Sequence, residues 1–340
     1  MSISEHLQLL PRIPLAHTPT PIERLNNLSG ALGGGALYVK RDDCTGLAMG
    51  GNKARQLEYY FGEALQQHAD TILITGAVQS NFVRMAAAAA AKLGLDCHIQ
   101  LEERVGDTGA AYRQSGNVLL DRLLGATLHT YPEGEDENGA DANLKRIADQ
   151  LRAAGRQPYI IPLAPGHPPL GALGYVRAAS ELLGQMENLE DEINHIFVAS
   201  GSGSTHAGLL FGLRSHNWLK PMIGVCVRRD RTSQQQRIKQ RCEEIAALLK
   251  LENPVRPEDI EITDETFQPG YGKLNEQTLE AINLCAQREG LLLDPVYTGK
   301  SMAACLNHVR TSREDQSTLF VHTGGTPGLF GYGKELNLAD

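Results

Sequence analysis

Lys53 lies directly behind Gly50-Gly51-Asn52, at the end of the stretch Tyr38-Val-Lys-Arg-Asp-Asp-Cys-Thr-Gly-Leu-Ala-Met-Gly-Gly-Asn-Lys. A short strand, Leu37 to Lys40, leads into this stretch. An amphipathic helix leaves it, with Leu57, Phe61 and Leu65 at helical spacing and Glu58 and Glu63 expected to face water. A lysine in the first turn of a helix feels the positive end of the macrodipole, which lowers the cost of losing its proton. Two residues without side chains in front of it let another molecule approach the backbone. A neutral, nucleophilic amine in such a place suits Schiff-base chemistry. The same string also reads as a turn carrying a solvated lysine, so the choice rests on the rest of the chain.

Four further loops carry hydroxyls and glycines where strands end. Ala199-Ser-Gly-Ser-Gly-Ser-Thr-His-Ala-Gly208 follows an apolar strand and precedes an apolar helix. Converging backbone N–H groups at a helix N-terminus make such a turn a phosphate cup. It is neither a Walker loop nor a dinucleotide fingerprint, and it also fits a plain connecting turn. Gly76-Ala-Val-Gln-Ser80-Asn81 offers amides and a hydroxyl for a substrate carboxylate, with N-capping by Ser80 or Asn81 as the simpler alternative. Asp294-Pro-Val-Tyr297-Thr298 and His322-Thr323-Gly-Gly are two more strand ends of this kind. Taken together with the lysine, these loops fit a phosphorylated aldehyde cofactor.

Strands and helices must alternate to present the loops. Strands are expected at Thr71–Thr75, Cys97–Leu101, Thr127–Tyr131, Tyr159–Pro162, His195–Ala199, Met222–Val227, Leu291–Tyr297 and Thr318–His322. Helices are expected at Phe82–Leu93, Val118–Leu124, Ala142–Ala154, Ala172–Leu183, Ala207–Leu213, Thr232–Leu251, Leu274–Glu289 and Met302–Val309. Residues 5–36 read as an irregular wrapping segment, and Glu133 to Asp141 as a solvated acidic loop. Repeating strand–loop–helix units imply α/β architecture with mostly parallel, doubly wound sheets. Two domains are expected, 1–52 with 165–340 and 53–164, with ligands at their junction outside the carboxyl ends of strands.

The chain has 340 residues, more than the roughly 250–300 at which single cores stop growing. A formal charge of −8 with 5% aromatic residues speaks against nucleic-acid and anionic-membrane partners. The first residues have no basic and apolar regions of a secretory signal, and no apolar run approaches the roughly 20 residues of a membrane helix. Six scattered cysteines without a Cys-x-x-Cys pair read as reduced thiols of a cytoplasmic protein, with no metal site.

From about Leu9 to Tyr332 the chain resembles the D-cysteine desulfhydrase and 1-aminocyclopropane-1-carboxylate deaminase family, pyridoxal-phosphate enzymes of the tryptophan-synthase-β fold. The strings that carry the resemblance are Lys40-Arg-Asp-Asp, Gly50-Gly-Asn-Lys53, Gln79-Ser-Asn81, Gly171-Ala-Leu-Gly-Tyr, Gly203-Ser-Thr, Asp294-Pro-Val-Tyr297 and His322-Thr-Gly-Gly. The resemblance implies that Lys53 holds pyridoxal 5′-phosphate and later moves the α-proton of an amino-acid substrate. It implies that Asn81 meets the pyridoxal 3′-oxygen and that Gly201, Ser202, Gly203, Ser204 and Thr205 bind the phosphate. Ser80, Gln79, Phe82 and His167 are then expected beside the substrate, with Tyr271 and Tyr297 on its other side. Family members commonly pair as homodimers.

Two positions separate the branches. The deaminases carry Glu after the Asp-Pro-Val-Tyr tyrosine and Leu after the late histidine, whereas this chain has Thr298 and Thr323. A hydroxyl beside the pyridine nitrogen leaves it nearer neutral, which suits loss of a good β-leaving group. The expectation is a carbon–sulfur lyase that converts D-cysteine to pyruvate, ammonia and hydrogen sulfide. Cys44-Thr-Gly-Leu resembles the sister L-cysteate sulfo-lyases, the second alternative; 1-aminocyclopropane-1-carboxylate deaminase is the third. A catalytically inactive pyridoxal-phosphate-binding protein is the alternative of another class. Phe82 replaces the family's usual His, and the loop 164–169 departs from its usual Gly-Gly-Ser-Asn.

Overall fold

The structure, a computed structural model, describes residues 2–106, 108–134, 136–163 and 167–336. Ten strands run in chain order: β1 (Ile22–Arg24), β2 (Leu37–Lys40), β3 (Thr71–Ala77), β4 (Asp96–Glu102), β5 (Thr127–Tyr131), β6 (Pro158–Ile161), β7 (Ile193–Ser200), β8 (Met222–Cys226), β9 (Glu261–Thr263) and β10 (Ser317–Val321). They form two sheets, β1-β2-β10-β7-β8-β9 and β5-β4-β3-β6. Every pairing is parallel except β1 with β2. β3 is buried along its whole length, as a strand covered by helices on both faces must be. The chain is therefore α/β, with two doubly wound, mostly parallel sheets.

The helix that begins at Lys53 (Lys53–Gln66) packs against the helix Leu170–Met186, which in turn packs on Ser204–Ser215. Their approach is close because Gly174 has no side chain: a Cβ there would stand 2.1 Å from the Arg55 carbonyl oxygen. That contact gives the string Gly171-Ala-Leu-Gly-Tyr a packing role.

Several expectations need correction. The first 36 residues are not uniformly irregular. Ser2 and Glu5 form a reciprocal capping box for the helix Ile3–Gln8, Asn26–Leu32 is helical, and β1 pairs with β2. Glu58 does not face water: it is buried and accepts from Arg12 Nε (2.7 Å) and the N–H groups of Leu15 and Ala16. It thereby ties the N-terminal segment to the Lys53 helix. Glu63 is half-buried and takes the Tyr159 hydroxyl. The acidic run is not a loop throughout, since Asp136 caps a helix that starts at Glu137 (Glu137–Ala153). Leu291–Tyr297 is not a strand either; the helix after it begins early, at Thr298 (Thr298–Thr311). Residues 164–166 of the departing loop, and with them the expected boundary at 165, lie outside the described residues.

Candidate active site

Strand register brings four strand ends to one place. Ala77 pairs with Glu102 across β3 and β4, and Ser200 with Cys226 across β7 and β8. The loops beyond these ends open on a cavity of about 1090 Å³ counting its open mouth. Lys53, Ser80, Asn81, Phe82, Tyr271, Tyr297, Thr323 and the run Gly201–Thr205 all line it. Gln79, His167 and Thr298 do not.

Lys53 has no carboxylate partner among the described residues. Its Nζ stands 3.4 Å from Gln56 Oε1 and 5.4 Å from the centre of the Phe82 ring. Burial pushes its pKa down to about 8, so near that pH half of the amine is neutral. The helix that carries it is anchored one turn away. Arg55 donates to Asp42 (2.9 and 3.0 Å) and to Glu181 (2.8 Å), and Lys40 Nζ reaches Glu181 at 2.6 Å. Thr20 and Tyr175 complete the shell of Asp42. Burial works against the Asp42 charge, but Arg55 and Lys40 hold its carboxyl below the usual range. The Lys40-Arg-Asp-Asp string thus acts through position, by fixing where Lys53 starts.

At the β3 loop, Ser80 caps the helix Asn81–Leu93, its Oγ accepting from Phe82 N (3.2 Å) and Val83 N (3.4 Å). Gln79 is turned away from the cavity and spent on structure. Its Nε2 donates to the Tyr112 and Ser115 carbonyls, and its Oε1 accepts from Asn117 N. Asn81 is oriented by a chain of bonds whose polarity has one solution. Arg84, fully buried, has only donors and gives Nε to Asn117 Oδ1 (3.1 Å). Asn117 therefore turns its Nδ2 to Gln79 O and to Asn81 Oδ1 (3.0 Å). The Asn81 Nδ2 donor is what remains for the cavity.

At the β7 loop the helix Ser204–Ser215 begins with Gly203 at φ +94°, a conformation that favours glycine. No backbone acceptor takes the N–H groups of Gly201, Ser202 or Gly203 among the described residues. The hydroxyls of Ser202 and Ser204 likewise have no hydrogen-bond partner there. Thr205 Oγ1 accepts from Asn52 Nδ2 and Gln56 Nε2, both at 2.8 Å, which leaves its own hydrogen to give. Converging free donors at a helix N-terminus, beside Arg228 and Arg241, fit a phosphate monoester.

On the far side Tyr271 and Tyr297 share a hydrogen bond of 2.8 Å between hydroxyls. Burial, then Tyr271, pushes the Tyr297 pKa up. Asp294 accepts from the N–H groups of Val296, Tyr297 and Thr298, and from the Thr298 hydroxyl at 2.7 Å. Thr298 does not line the cavity; its hydroxyl is held by Asp294 directly behind the wall. Thr323 does line the cavity. His167 is exposed, with Nε2 3.5 Å from Asp141, and is not brought to the site. The sequence reading gave no role to Asn52, although it lies inside the Gly50-Gly-Asn-Lys53 string, and missed Gln56, Asn117, Arg104, Arg228 and Arg241, which no motif marks.

A neutral-capable lysine, a donor-only amide and a phosphate cup around one cavity define the chemistry of a pyridoxal-phosphate enzyme. The chain belongs to that family: the model for pyridoxal-phosphate dependent enzymes matches residues 13–324. D-cysteine desulfhydrases of Salmonella typhi and Salmonella newport (strain SL254) are each 43% identical over 329 residues, covering 96% of this chain and 98% of theirs. A solved structure described as an ACC deaminase homologue has a TM-score of 0.87 at 38% identity, over 98% of both chains. O-ureido-L-serine synthase shares the fold, with a TM-score of 0.68 at 16% identity over 98% of this chain and 96% of its own.

Proposed function

We propose that the protein eliminates a sulfur group from Cβ of a cysteine-like amino acid, D-cysteine first, to give pyruvate, ammonia and hydrogen sulfide. The observation that carries this reading is Lys53, a lysine without a carboxylate partner among the described residues, whose pKa falls to about 8 in a cavity lined by the Gly201–Thr205 turn. The relatives named as D-cysteine desulfhydrases supply the substrate. Pyridoxal phosphate, when bound, supplies the sink for the electron pair left at Cα.

Each protein group then has a task. Lys53 would hold the cofactor at its aldehyde carbon and, once released, carry the α-proton. Gly201–Thr205 would hold the phosphate, Asn81 Nδ2 the 3′-oxygen, and the Thr323 hydroxyl would stand at the ring nitrogen. A hydroxyl there leaves the nitrogen nearer neutral, which favours a good leaving group over ring opening and places 1-aminocyclopropane-1-carboxylate deamination behind elimination. The Ser80 hydroxyl and the backbone of the loop Gly76–Asn81 would take the α-carboxylate, with Phe82 and the Tyr271–Tyr297 pair around the side chain. This division of labour supports the domain boundaries 1–52 with 165–340 and 53–164. We also place the enzyme in the cytoplasm as a homodimer.

The test is a product assay on D-cysteine, L-cysteine, L-cysteate and 1-aminocyclopropane-1-carboxylate with wild type and Lys53→Ala. Sulfide and pyruvate from D-cysteine, abolished by Lys53→Ala together with the cofactor's visible absorbance, are expected. Turnover retained without Lys53 would remove it from this role, and a protein that takes up no cofactor would sink the reading.

A further inference from the structure

Gln56 stands one turn after Lys53 on the same helix, at the spacing that puts two side chains on one face, and both line the cavity. It is 2% exposed, and a Cβ added at Gly171 would stand 3.3 Å from its own Cβ, so the neighbouring helix presses on its stem. Its two amide ends are spent in opposite directions. Nε2 donates to Thr205 Oγ1 at 2.8 Å, and Oε1 stands 3.4 Å from Lys53 Nζ. Thr205 also accepts from Asn52 Nδ2 at 2.8 Å, so both lone pairs of its hydroxyl are filled by amides. Turned over, the Gln56 amide would donate to the lysine amine and take up its lone pair. The bond to Thr205 selects the orientation that spares it.

The amine needs that lone pair. A neutral lysine amine has two N–H donors and one lone pair, and the lone pair is what bonds a carbonyl carbon or takes a proton. An N–H bond to Gln56 Oε1 fixes the amine and consumes none of it. A carboxylate in the same place would fix the amine as well, but it would favour the ammonium, which has no lone pair to offer. The titratable groups that share the cavity with Lys53 are Tyr60 on its own helix, Arg104, Arg228, Arg241, Tyr271 and Tyr297, with no Asp or Glu among the described residues. On the Lys53 helix Arg55 and Glu58 are bound elsewhere, to Asp42 with Glu181 and to Arg12. On the helices packed against it, Arg84 is held by the Ala48 carbonyl and Asn117, and Tyr175 by Asp42.

We propose that Gln56 is a positioning residue, which holds the free Lys53 amine by one N–H so that its lone pair stays directed at the cavity. This rests on the reading above, in which Lys53 holds the cofactor and carries the α-proton. Through Thr205 the same amide joins the lysine to the phosphate cup, so one side chain sets both ends of the cofactor site.

The test follows the rate of cofactor capture against pH in cofactor-stripped wild type, Gln56→Glu and Gln56→Met. It uses pyridoxal 5′-phosphate and, in parallel, pyridoxal, which lacks the phosphate. Gln56→Glu sets a carboxylate beside the amine, and the pH at which capture levels should rise by at least about one unit. Gln56→Met removes the acceptor at similar length. The ammonium loses more by this than the amine does, so capture should level about half a pH unit lower, at a plateau rate reduced on the order of tenfold. Both shifts should appear with either aldehyde, and again in the acid limb of kcat for D-cysteine on the holoenzyme. A packing role would not move the two profiles in opposite directions, and either variant decides alone if the other fails to fold. Unshifted profiles in variants that still capture cofactor would overturn the proposal. So would shifts confined to pyridoxal 5′-phosphate, which would assign Gln56 to the phosphate cup alone. A wild type that captures neither aldehyde would overturn the reading of Lys53 itself, and the proposal with it.

Discussion

The turns after β3 and β7 are the same unit, a strand that runs through a short polar loop into a helix, yet they are finished in opposite ways. After β3, Ser80 closes its own helix by taking the Phe82 and Val83 N–H groups. After β7, the cap position is Gly203, which has no side chain to do so, and the loop's donors stay open. One turn is a platform that presents Asn81; the other is a cup that needs an anion to complete it. The arginines repeat the contrast. Arg104 has a carboxylate to itself, whereas Arg228 shares one with two other arginines. Guanidinium groups therefore gather on the cup side, where a dianion belongs.

The largest effect should come from filling the cup. Gly203→Val places a branched side chain at φ +94°, where an added Cβ meets Ile238 Cδ1 at 3.2 Å. Strain of about 1–3 kcal/mol together with the lost cup should weaken cofactor binding on the order of 100-fold, read as Kd in a fluorescence titration of the cofactor-stripped protein. Next, the rate of cofactor capture by stripped enzyme should rise about tenfold per pH unit up to roughly pH 8 and then level, because only neutral Lys53 reacts and its pKa is depressed. A plateau delayed to the ordinary lysine range would show that the amine is not desolvated.

Asn117→Leu removes the group that fixes which end of the Asn81 amide faces the cavity. It should weaken cofactor binding about tenfold, the worth of one hydrogen bond to a charged or polarised oxygen at about 1.5 kcal/mol. No change in Kd would mean that Asn81 orients itself. Ser80→Ala should do least to the cofactor, with Kd changed less than about threefold, while the loss of a cap lowers stability by about 1 kcal/mol in denaturant unfolding. If Ser80→Ala weakened cofactor binding more than Gly203→Val did, the contrast between platform and cup would be reversed.

What the sequence showed and what it hid follow one physical line. Lys53, the Gly201–Thr205 turn, the alternation of strands and helices and the family resemblance were legible because each is written in neighbouring residues. Gln79, Thr298 and His167 do not line the cavity, and the sequence could not show it because adjacency in a motif does not say which way a side chain points. Gln79 and Thr298 are consumed by Asn117, Tyr112, Ser115 and Asp294. Arg104 and Arg228 were invisible because strand register, set between segments far apart in the chain, decides that they flank the loops. Glu137 passed for solvated loop because its arginines lie some ninety residues or more further on.

The loops that hold Lys53 and Thr323 meet backbone to backbone. A Cβ at Gly324 would stand 2.6 Å from Gly51 Cα, and one at Gly51 would stand 3.3 Å from the Thr323 carbonyl oxygen. Asn52 N bonds the Thr323 carbonyl at 3.0 Å across the same seam. With no side chain there to shrink, a change on one loop has no compensating change on the other. Substitution tolerance is accordingly least along this line of glycines.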